Sequence, residues 1–164
     1  MTDESIKSTV RQILTNYLEM ENRRKTPERF AILDEIYNTH HHFSLEELGT
    51  RLEKAKFYVS RATLYNTMKL LMKLRLVISH HFQGGTLYEA CYKNQSHCHQ
   101  ICTMCGSVLE IPVPEVGAAI ENARFHRFRR SGFTLYVYGI CSNCQGKLTR
   151  QRNLEAKMKQ QKSR

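Results

Sequence analysis

The stretch SRATLYNTMKLLMKLRLVISHHFQGGTLYE, residues Ser60 to Glu89, decides the fold. Its first half opens with an N-cap serine and repeats apolar residues at helical spacing, which predicts a helix from Arg61 to about Leu74. Two strand-like runs follow, Leu76–Ser79 and Thr86–Glu89, about a turn at Gly84-Gly85. Helices followed by such a hairpin predict a winged helix-turn-helix.

Three further helices are predicted before this stretch. The first runs from about Ile6 to Glu21, because its apolar residues share one helical face. The second starts after Thr26 with a proline at its first position and ends near the His40–His42 run. The third opens with a capping box at Ser44 and continues to about Leu52. Residues 1–90 are therefore predicted to form one winged-helix DNA-binding domain.

The chain changes character after this domain. We predict a polar hinge at 91–95, a small α/β domain at 96–148 for dimerisation and metal binding, and a basic tail at 149–164, a frayed helix or mobile end. The complete chain is expected to be of the α+β class. The second domain is predicted to contain strands at His97–Cys102, Val108–Ile111 and Phe133–Tyr138, with a helix from Pro114 to about Arg129.

The distribution of charge indicates a polyanionic partner. The chain carries 25 Lys and Arg against 15 Asp and Glu, a net charge of +10. Six basic residues and no acidic one lie between Lys54 and Arg75, within a segment expected to fold. Because a rigid element fixes where its charges point, this block is a better nucleic-acid candidate than the basic tail.

No apolar run is long enough to span a membrane, and the acidic amino terminus does not resemble a signal peptide. We therefore expect a cytoplasmic protein without a membrane partner. Its six cysteines should be reduced, which favours thiolate ligands over disulfides.

Two Cys-x-x-Cys pairs, Cys102 with Cys105 and Cys141 with Cys144, predict a zinc site. Four thiolates arranged tetrahedrally suit Zn²⁺ and leave no open coordination position, so the site should be structural. A redox role would be expected of a single pair at the start of a thioredoxin-like helix, and no such helix start is predicted here.

A second metal site is predicted from His97 and His99. Residues two apart on a strand face the same side, so both imidazoles can bind one ion. Glu89 and the His40–His42 run add a carboxylate and a third imidazole. Such nitrogen and oxygen donors suit Fe²⁺, Mn²⁺, Zn²⁺ or Co²⁺ and do not choose among them.

The order and spacing of several motifs resemble the ferric uptake regulator family of bacterial metal-dependent repressors, over about Lys25 to Gly146. The resemblance implies a homodimer that binds palindromic double-stranded DNA operators and responds to Fe²⁺, or alternatively to Mn²⁺ or Zn²⁺. The matching segments are Thr26–Arg29, His41–Leu48, Ser60–Tyr65, Tyr88-Glu89, His97–Gly106 and Tyr138–Cys144.

The resemblance also implies roles for individual residues. Cys102, Cys105, Cys141 and Cys144 match the structural zinc ligands. His42, Glu89, His97 and His99 match a regulatory site at the domain junction, and the ion bound there would fix the angle between the domains. The expected DNA contacts are Arg61, Thr63, Tyr65, Asn66 and Lys69 on the recognition helix, with Tyr65 against thymine methyls, and Arg29, Lys54, Lys56 and Lys73 on phosphates.

Three departures from the family pattern refine these expectations. Asn66 stands where members often carry Arg, so the base preference is expected to differ. An additional metal site of the family should be absent, because its positions hold Ser96, Cys98, about Gly117 and Phe133. Glu89 stands where peroxide-sensing relatives have Asp, which favours an iron sensor.

Other functions remain open at this stage. A hydrolase with a His/Glu metal centre would need an open coordination position, and the closed cysteine site and the lack of a nucleophile motif argue against an enzyme. A haem- or thiol-redox sensor of the same fold would use Cys91 and Cys98. A zinc- or peroxide-responsive paralogue is the remaining alternative.

Overall fold

The computed structural model describes residues 3–39, 41–91, 97–130 and 132–162, the side chains of 159–162 excepted. It divides into two compact units, Met1–Asn94 and Gln95–Arg164. The predicted hinge lies outside the described residues except for Cys91, as do His40, Ser96 and the last two residues of the predicted tail. Among the described helices, none combines the length and apolarity that crossing a membrane requires.

The first unit contains four helices and a hairpin, in the order of a winged helix. Its helices are α1 (Asp3–Met20), α2 (Pro27–Asn38), α3 (Leu45–Lys54) and α4 (Arg61–Lys73), and its strands are β1 (Val77–Phe82) and β2 (Gly85–Ala90). The second unit contains β3 (His97–Cys102), β4 (Val108–Pro112), α5 (Pro114–Asn122), β5 (Leu135–Gly139) and α6 (Ser142–Lys162). The α+β prediction is confirmed.

Local sequence signals start α3 and α4 where they were predicted to start. The Ser44 side chain accepts a hydrogen bond from the Glu47 backbone N–H at 3.1 Å, and Ser60 accepts one from Thr63 at 3.1 Å. Each bond satisfies a backbone donor that has no partner within its helix. Thr26 precedes α2 without such a side-chain bond, and the proline at the start of α2 supplies the favourable backbone angle instead.

Both α3 and α4 end in a left-handed residue that reverses the chain. Lys56 has φ +60° and Arg75 has φ +56°. The backbone N–H of Phe57 then donates to the Leu52 carbonyl at 2.8 Å, and that of Leu76 to the Leu71 carbonyl at 2.9 Å. This pattern satisfies helix carbonyls and directs the chain from α4 straight into the hairpin.

The hydrophobic core of the first unit joins the inner faces of its helices to the hairpin. Leu14, Leu33 and Leu71 are fully buried there. One polar bond crosses this core, because the buried Tyr37 hydroxyl donates to the Leu76 carbonyl at 2.8 Å. That bond connects α2 to the start of the hairpin.

A short backbone pairing extends the hairpin beyond its two strands. The N–H of Phe43 donates to the Tyr88 carbonyl at 3.0 Å, and the N–H of Tyr88 donates to the Phe43 carbonyl at 2.8 Å. The pairing is antiparallel, so the residue before Phe43 lies beside the residue after Tyr88. These neighbours are His42 and Glu89.

The second unit is built on a three-stranded sheet of order β4-β3-β5. The central strand β3 is antiparallel to β4 and parallel to β5. It carries much of the buried surface, whereas β4 and β5 are largely exposed.

Two elements of the second unit differ from the sequence predictions. The helix predicted to reach Arg129 ends at Asn122, because Ala123 is extended, and Phe125 and Phe128 beyond it stay exposed. The segment 149–164, expected to be a frayed helix or a mobile end, is helical as far as Lys162, and it belongs to a helix, α6, that already begins at Ser142. The prediction that no helix starts at a Cys-x-x-Cys pair was wrong, because Cys141 directly precedes this helix.

The Tyr37→Phe variant should lower the free energy of unfolding by about 1 kcal/mol, because it removes one buried hydrogen bond and leaves the packing unchanged. Urea denaturation followed by circular dichroism would measure the effect. Tyr58→Phe is the matched control, since Tyr58 is 81% exposed and should leave stability unchanged. Equal stabilities for the two variants would contradict a structural role for the Tyr37 bond.

Candidate metal sites and nucleic-acid interface

The four cysteines of the two Cys-x-x-Cys pairs converge in the second unit. Their sulfur atoms all lie within 4.8 Å of one another, and Cys105 Sγ is 3.8 Å from Cys141 Sγ. Zn–S bonds of about 2.3 Å place the sulfurs of a tetrahedral site about 3.8 Å apart. The donor set and its spacing therefore fit one structural zinc ion.

The ends of three elements bring these cysteines together. Cys102 ends β3, and the turn after it closes through Gly106, whose φ of +71° suits glycine. Cys141 precedes α6 and Cys144 lies in its first turn. The backbone N–H of Thr103 donates to the Gly139 carbonyl at 2.8 Å and holds the ends of β3 and β5 side by side.

Hydrogen bonds to the sulfurs favour thiolates at part of this site. The backbone N–H of Cys141 donates to Cys102 Sγ at 3.3 Å and, with other backbone N–H groups, lowers the pKa of Cys102 to about 6. The Ser107 hydroxyl lowers the pKa of Cys105. Hydrogen bonding with Cys141, followed by burial, raises the pKa of Cys144 to about 12. Several thiolates this close together need a cation, as a structural zinc site provides.

The first unit brings together His42 and Glu89, two of the predicted regulatory ligands. His42 Nε2 lies 3.2 Å from Glu89 Oε2, and both side chains are about nine-tenths buried. The neighbouring His41 is exposed and lies 3.1 Å from Glu47 instead. Of the two adjacent histidines, His42 is therefore the one that accompanies Glu89.

The sequence analysis missed His80, which also contacts this carboxylate. Its Nε2 lies 3.0 Å from Glu89 Oε1, and the side chain is fully buried. The available signal was the alternation of β1, which puts His80 and Phe82 on one face of the hairpin. Only the register of the hairpin reveals that Glu89 lies on that same face.

The second unit brings together the other two predicted regulatory ligands on β3. The rings of His97 and His99 have centroids 4.7 Å apart. His99 Nδ1 donates to the Leu135 carbonyl across a long 3.4 Å, so Nε2 is the nitrogen that His99 could offer to an ion. Glu110, not selected from the sequence, is the direct cross-strand partner of His99 on β4.

The outer face of α4 carries the residues expected to read DNA. Leu64, Met68 and Leu71 are buried, as the helical spacing predicted. Tyr65 is 51% exposed, and Lys69 Nζ lies 4.8 Å from the centre of its ring. Arg61 and Asn66 are exposed on the same helix.

Several other expected DNA contacts have partners within the chain. Thr63 shares a 2.9 Å hydrogen bond with the helix cap Ser60. The guanidinium of Arg29 donates to the Arg24 carbonyl, and Lys73 Nζ donates to the Tyr17 hydroxyl at 2.8 Å. The two remaining lysines of the basic block, Lys54 and Lys56, are exposed.

The two cysteines outside the zinc set are poorly suited to redox chemistry. Burial, with a smaller contribution from the Glu89 carboxylate, raises the pKa of Cys91 to about 12. Cys98 is only 5% exposed on the central strand of its sheet. A thiol reacts as its thiolate, so neither environment favours a sensing role.

Known proteins resemble this chain over most of its length. The curated ferric uptake regulation protein of Neisseria meningitidis is 32% identical over 125 residues, which cover 74% of this chain and 86% of that protein. The peroxide-responsive repressor PerR of Staphylococcus aureus is 28% identical over 126 residues, covering 76% and 84%.

Solved structures share the fold. The ferric uptake regulator of Helicobacter pylori aligns with a TM-score of 0.62 at 20% identity, over 88% of this chain and 95% of that one. The regulator of Pseudomonas aeruginosa with manganese also reaches 0.62, at 24% identity and over 78% and 97% of the two chains. Residues 20–138 match the sequence model of the Ferric uptake regulator family. The chain belongs to this family of metal-responsive transcriptional regulators.

Proposed function

We propose that the chain is an iron-responsive repressor that binds palindromic double-stranded DNA operators as a homodimer. The observation that carries the proposal is the division of the regulatory ligands between the two units. His42 and Glu89 belong to the first unit, and His97 and His99 to the second. One divalent ion bound by all four would fix the angle between the domains.

Such an ion controls DNA binding without touching DNA. In a dimer, the angle between the domains sets the distance between two recognition helices, which must reach successive major-groove half-sites. The ion and the operator then favour the same conformation, so each strengthens binding of the other. A coupling of about 1–3 kcal/mol per site is typical and changes affinity about 5–150-fold.

The donor set supports a divalent transition metal, with iron as our first choice. Three imidazoles and a carboxylate suit Fe²⁺, Mn²⁺ and Zn²⁺ alike. Glu110 is a further candidate ligand because it lies directly across the sheet from His99. A glutamate at position 89 favours iron over peroxide sensing, and the relatives matched include ferric uptake regulation proteins.

We assign a different role to Cys102, Cys105, Cys141 and Cys144, which would hold zinc as part of the fold. The described part of the second unit buries few large apolar side chains, and several of its buried residues are cysteines themselves. A bound ion would therefore replace much of the hydrophobic core that this unit lacks.

The second unit also offers the surface for dimerisation. Leu109, Val137 and Tyr138 on its two outer strands are 62%, 47% and 65% exposed. Apolar surface concentrated on one unit is typical of a subunit interface. If two copies pair through this unit, both copies of α4 remain available to bind the operator. Tyr65 and Asn66 lie on the face of α4 that would contact the bases.

Two alternatives within the family differ in the signal sensed. A zinc-responsive regulator would use the same four regulatory ligands, and a peroxide-responsive one, like the matched PerR, would respond to an oxidant. The Cys91 and Cys98 environments disfavour a thiol-based sensor.

Metal analysis of the purified protein, combined with DNA titrations against each ion, separates these alternatives. For an iron-responsive repressor we expect one equivalent of zinc per chain that resists chelators and a second equivalent of metal that exchanges.

The Cys102→Ser variant should lose the chelator-resistant zinc and the dimer, because three sulfurs no longer close the site. Metal analysis and analytical ultracentrifugation would measure both losses. Cys91→Ser is the matched control and should keep zinc and dimer. A zinc-containing dimer in the Cys102→Ser variant would contradict the assignment.

Replacing His97 and His99 together with Ala should abolish metal-stimulated DNA binding while leaving a folded, zinc-containing dimer. Fluorescence anisotropy with an operator duplex, with and without added Mn²⁺, would measure the stimulation. His126→Ala changes an exposed histidine of the same unit and should have no effect. An unfolded double variant would instead mean that the pair is structural.

The Tyr65→Ala variant should weaken operator binding roughly tenfold, because one apolar contact with the bases is lost, while binding to random DNA changes little. Parallel titrations of operator and random duplexes at one salt concentration would test this. Tyr65→Phe keeps the ring and should retain operator affinity. Equal losses on both duplexes would make Tyr65 a scaffold residue.

A further inference from the structure

We propose that His80 is a positioning residue for the regulatory metal site. Its Nε2 lies against Glu89 Oε1 and would hold the carboxylate so that Oε2 is the oxygen presented to the ion. This inference rests on the proposed function, because it assumes that Glu89 binds the regulatory metal.

The register of the hairpin brings the two side chains together. Ile78 on β1 is the direct partner of Glu89 on β2, and His80 is two residues further along β1. His80 and Glu89 therefore occupy a diagonal position on one face of the hairpin, within reach of long side chains. The Nε2–Oε1 distance is 3.0 Å, a direct contact between the imidazole and the carboxylate.

The surroundings hold the His80 ring in this orientation. The side chain is fully buried, and its ring stacks on Phe82 with centroids 5.7 Å apart and planes 10° apart. The His42 ring meets it edge-on at 5.1 Å. A buried ring with neighbours on two sides cannot turn away from Glu89 without repacking the hairpin.

The His80 and His42 imidazoles each contact a different oxygen of the Glu89 carboxylate. His80 Nε2 faces Oε1, and His42 Nε2 faces Oε2. His42 reaches Glu89 from the segment between α2 and α3, whereas His80 belongs to the same hairpin as Glu89. His80 therefore acts on the carboxylate from within a rigid element, as partners that orient metal ligands commonly do.

The test compares His80→Leu with His80→Gln in the full-length, zinc-containing protein. Leu removes the donor, whereas the Gln amide nitrogen takes the place of the imidazole Nε2. Mn²⁺ affinity, measured by electron paramagnetic resonance titration, should fall about 10–100-fold in His80→Leu and stay within about threefold of the parent in His80→Gln. The Co²⁺ visible spectrum of His80→Gln should match that of the parent.

His81→Leu is the matched control, because His81 is exposed, bonds Thr86 at 3.0 Å and should leave Mn²⁺ affinity unchanged. Unchanged affinity in His80→Leu would overturn the proposal. An equal loss in His80→Gln with an altered Co²⁺ spectrum would also overturn it, since His80 would then bind the metal directly.

A second measurement needs no variant and no regulatory metal. Long-range proton–nitrogen NMR spectra of the parent, with the structural zinc present, should show a proton on His80 Nε2. A bare Nε2 would refute the proposal even if His80→Leu fails to fold. If His80→Leu keeps its Mn²⁺ affinity, only the role of His80 is refuted and the proposed function stands. If the variant without His97 and His99 keeps full Mn²⁺ affinity, the proposed function itself is refuted.

Discussion

The backbone pairing of Phe43 with Tyr88 is the constraint on which the first unit's part of the proposed regulatory site depends. This single β-bridge fixes the segment between α2 and α3 beside the hairpin and so sets His42 next to Glu89. The segment after α2 and the hairpin are thereby held together around the buried Glu89 carboxylate. An ion bound by this carboxylate, as proposed, would therefore act on the whole first unit, including the outer face of α4, and not on the hairpin alone.

The two units achieve order by different physical means. The first buries a continuous apolar core between its helices and hairpin. The second leaves Leu109 and Tyr138 on its outer strands exposed and gathers four sulfurs at the ends of its elements. Its stability is therefore expected to depend on zinc and on a second copy of the chain, so metal supply and assembly are linked before any regulatory ion binds.

The sequence predicted the features that depend on the spacing of residues close together in the chain. It did not predict contacts that depend on how two separate strands are aligned. Helix caps such as Ser60 and both Cys-x-x-Cys pairs are read within a few residues. The contact of His80 with Glu89 requires the alignment of two strands, and the pairing of Glu110 with His99 requires that of two others. The end of α5 was misplaced because Phe125 and Phe128 are spaced as on a helix, although both side chains remain exposed.

Because Cys141 directly precedes α6, the base of this helix lies at the four cysteines. A helix of this length extends about 30 Å, so a rotation of about 10° at its base displaces the far end by about 5 Å. The four cysteines therefore decide where the positive charge of α6 is placed.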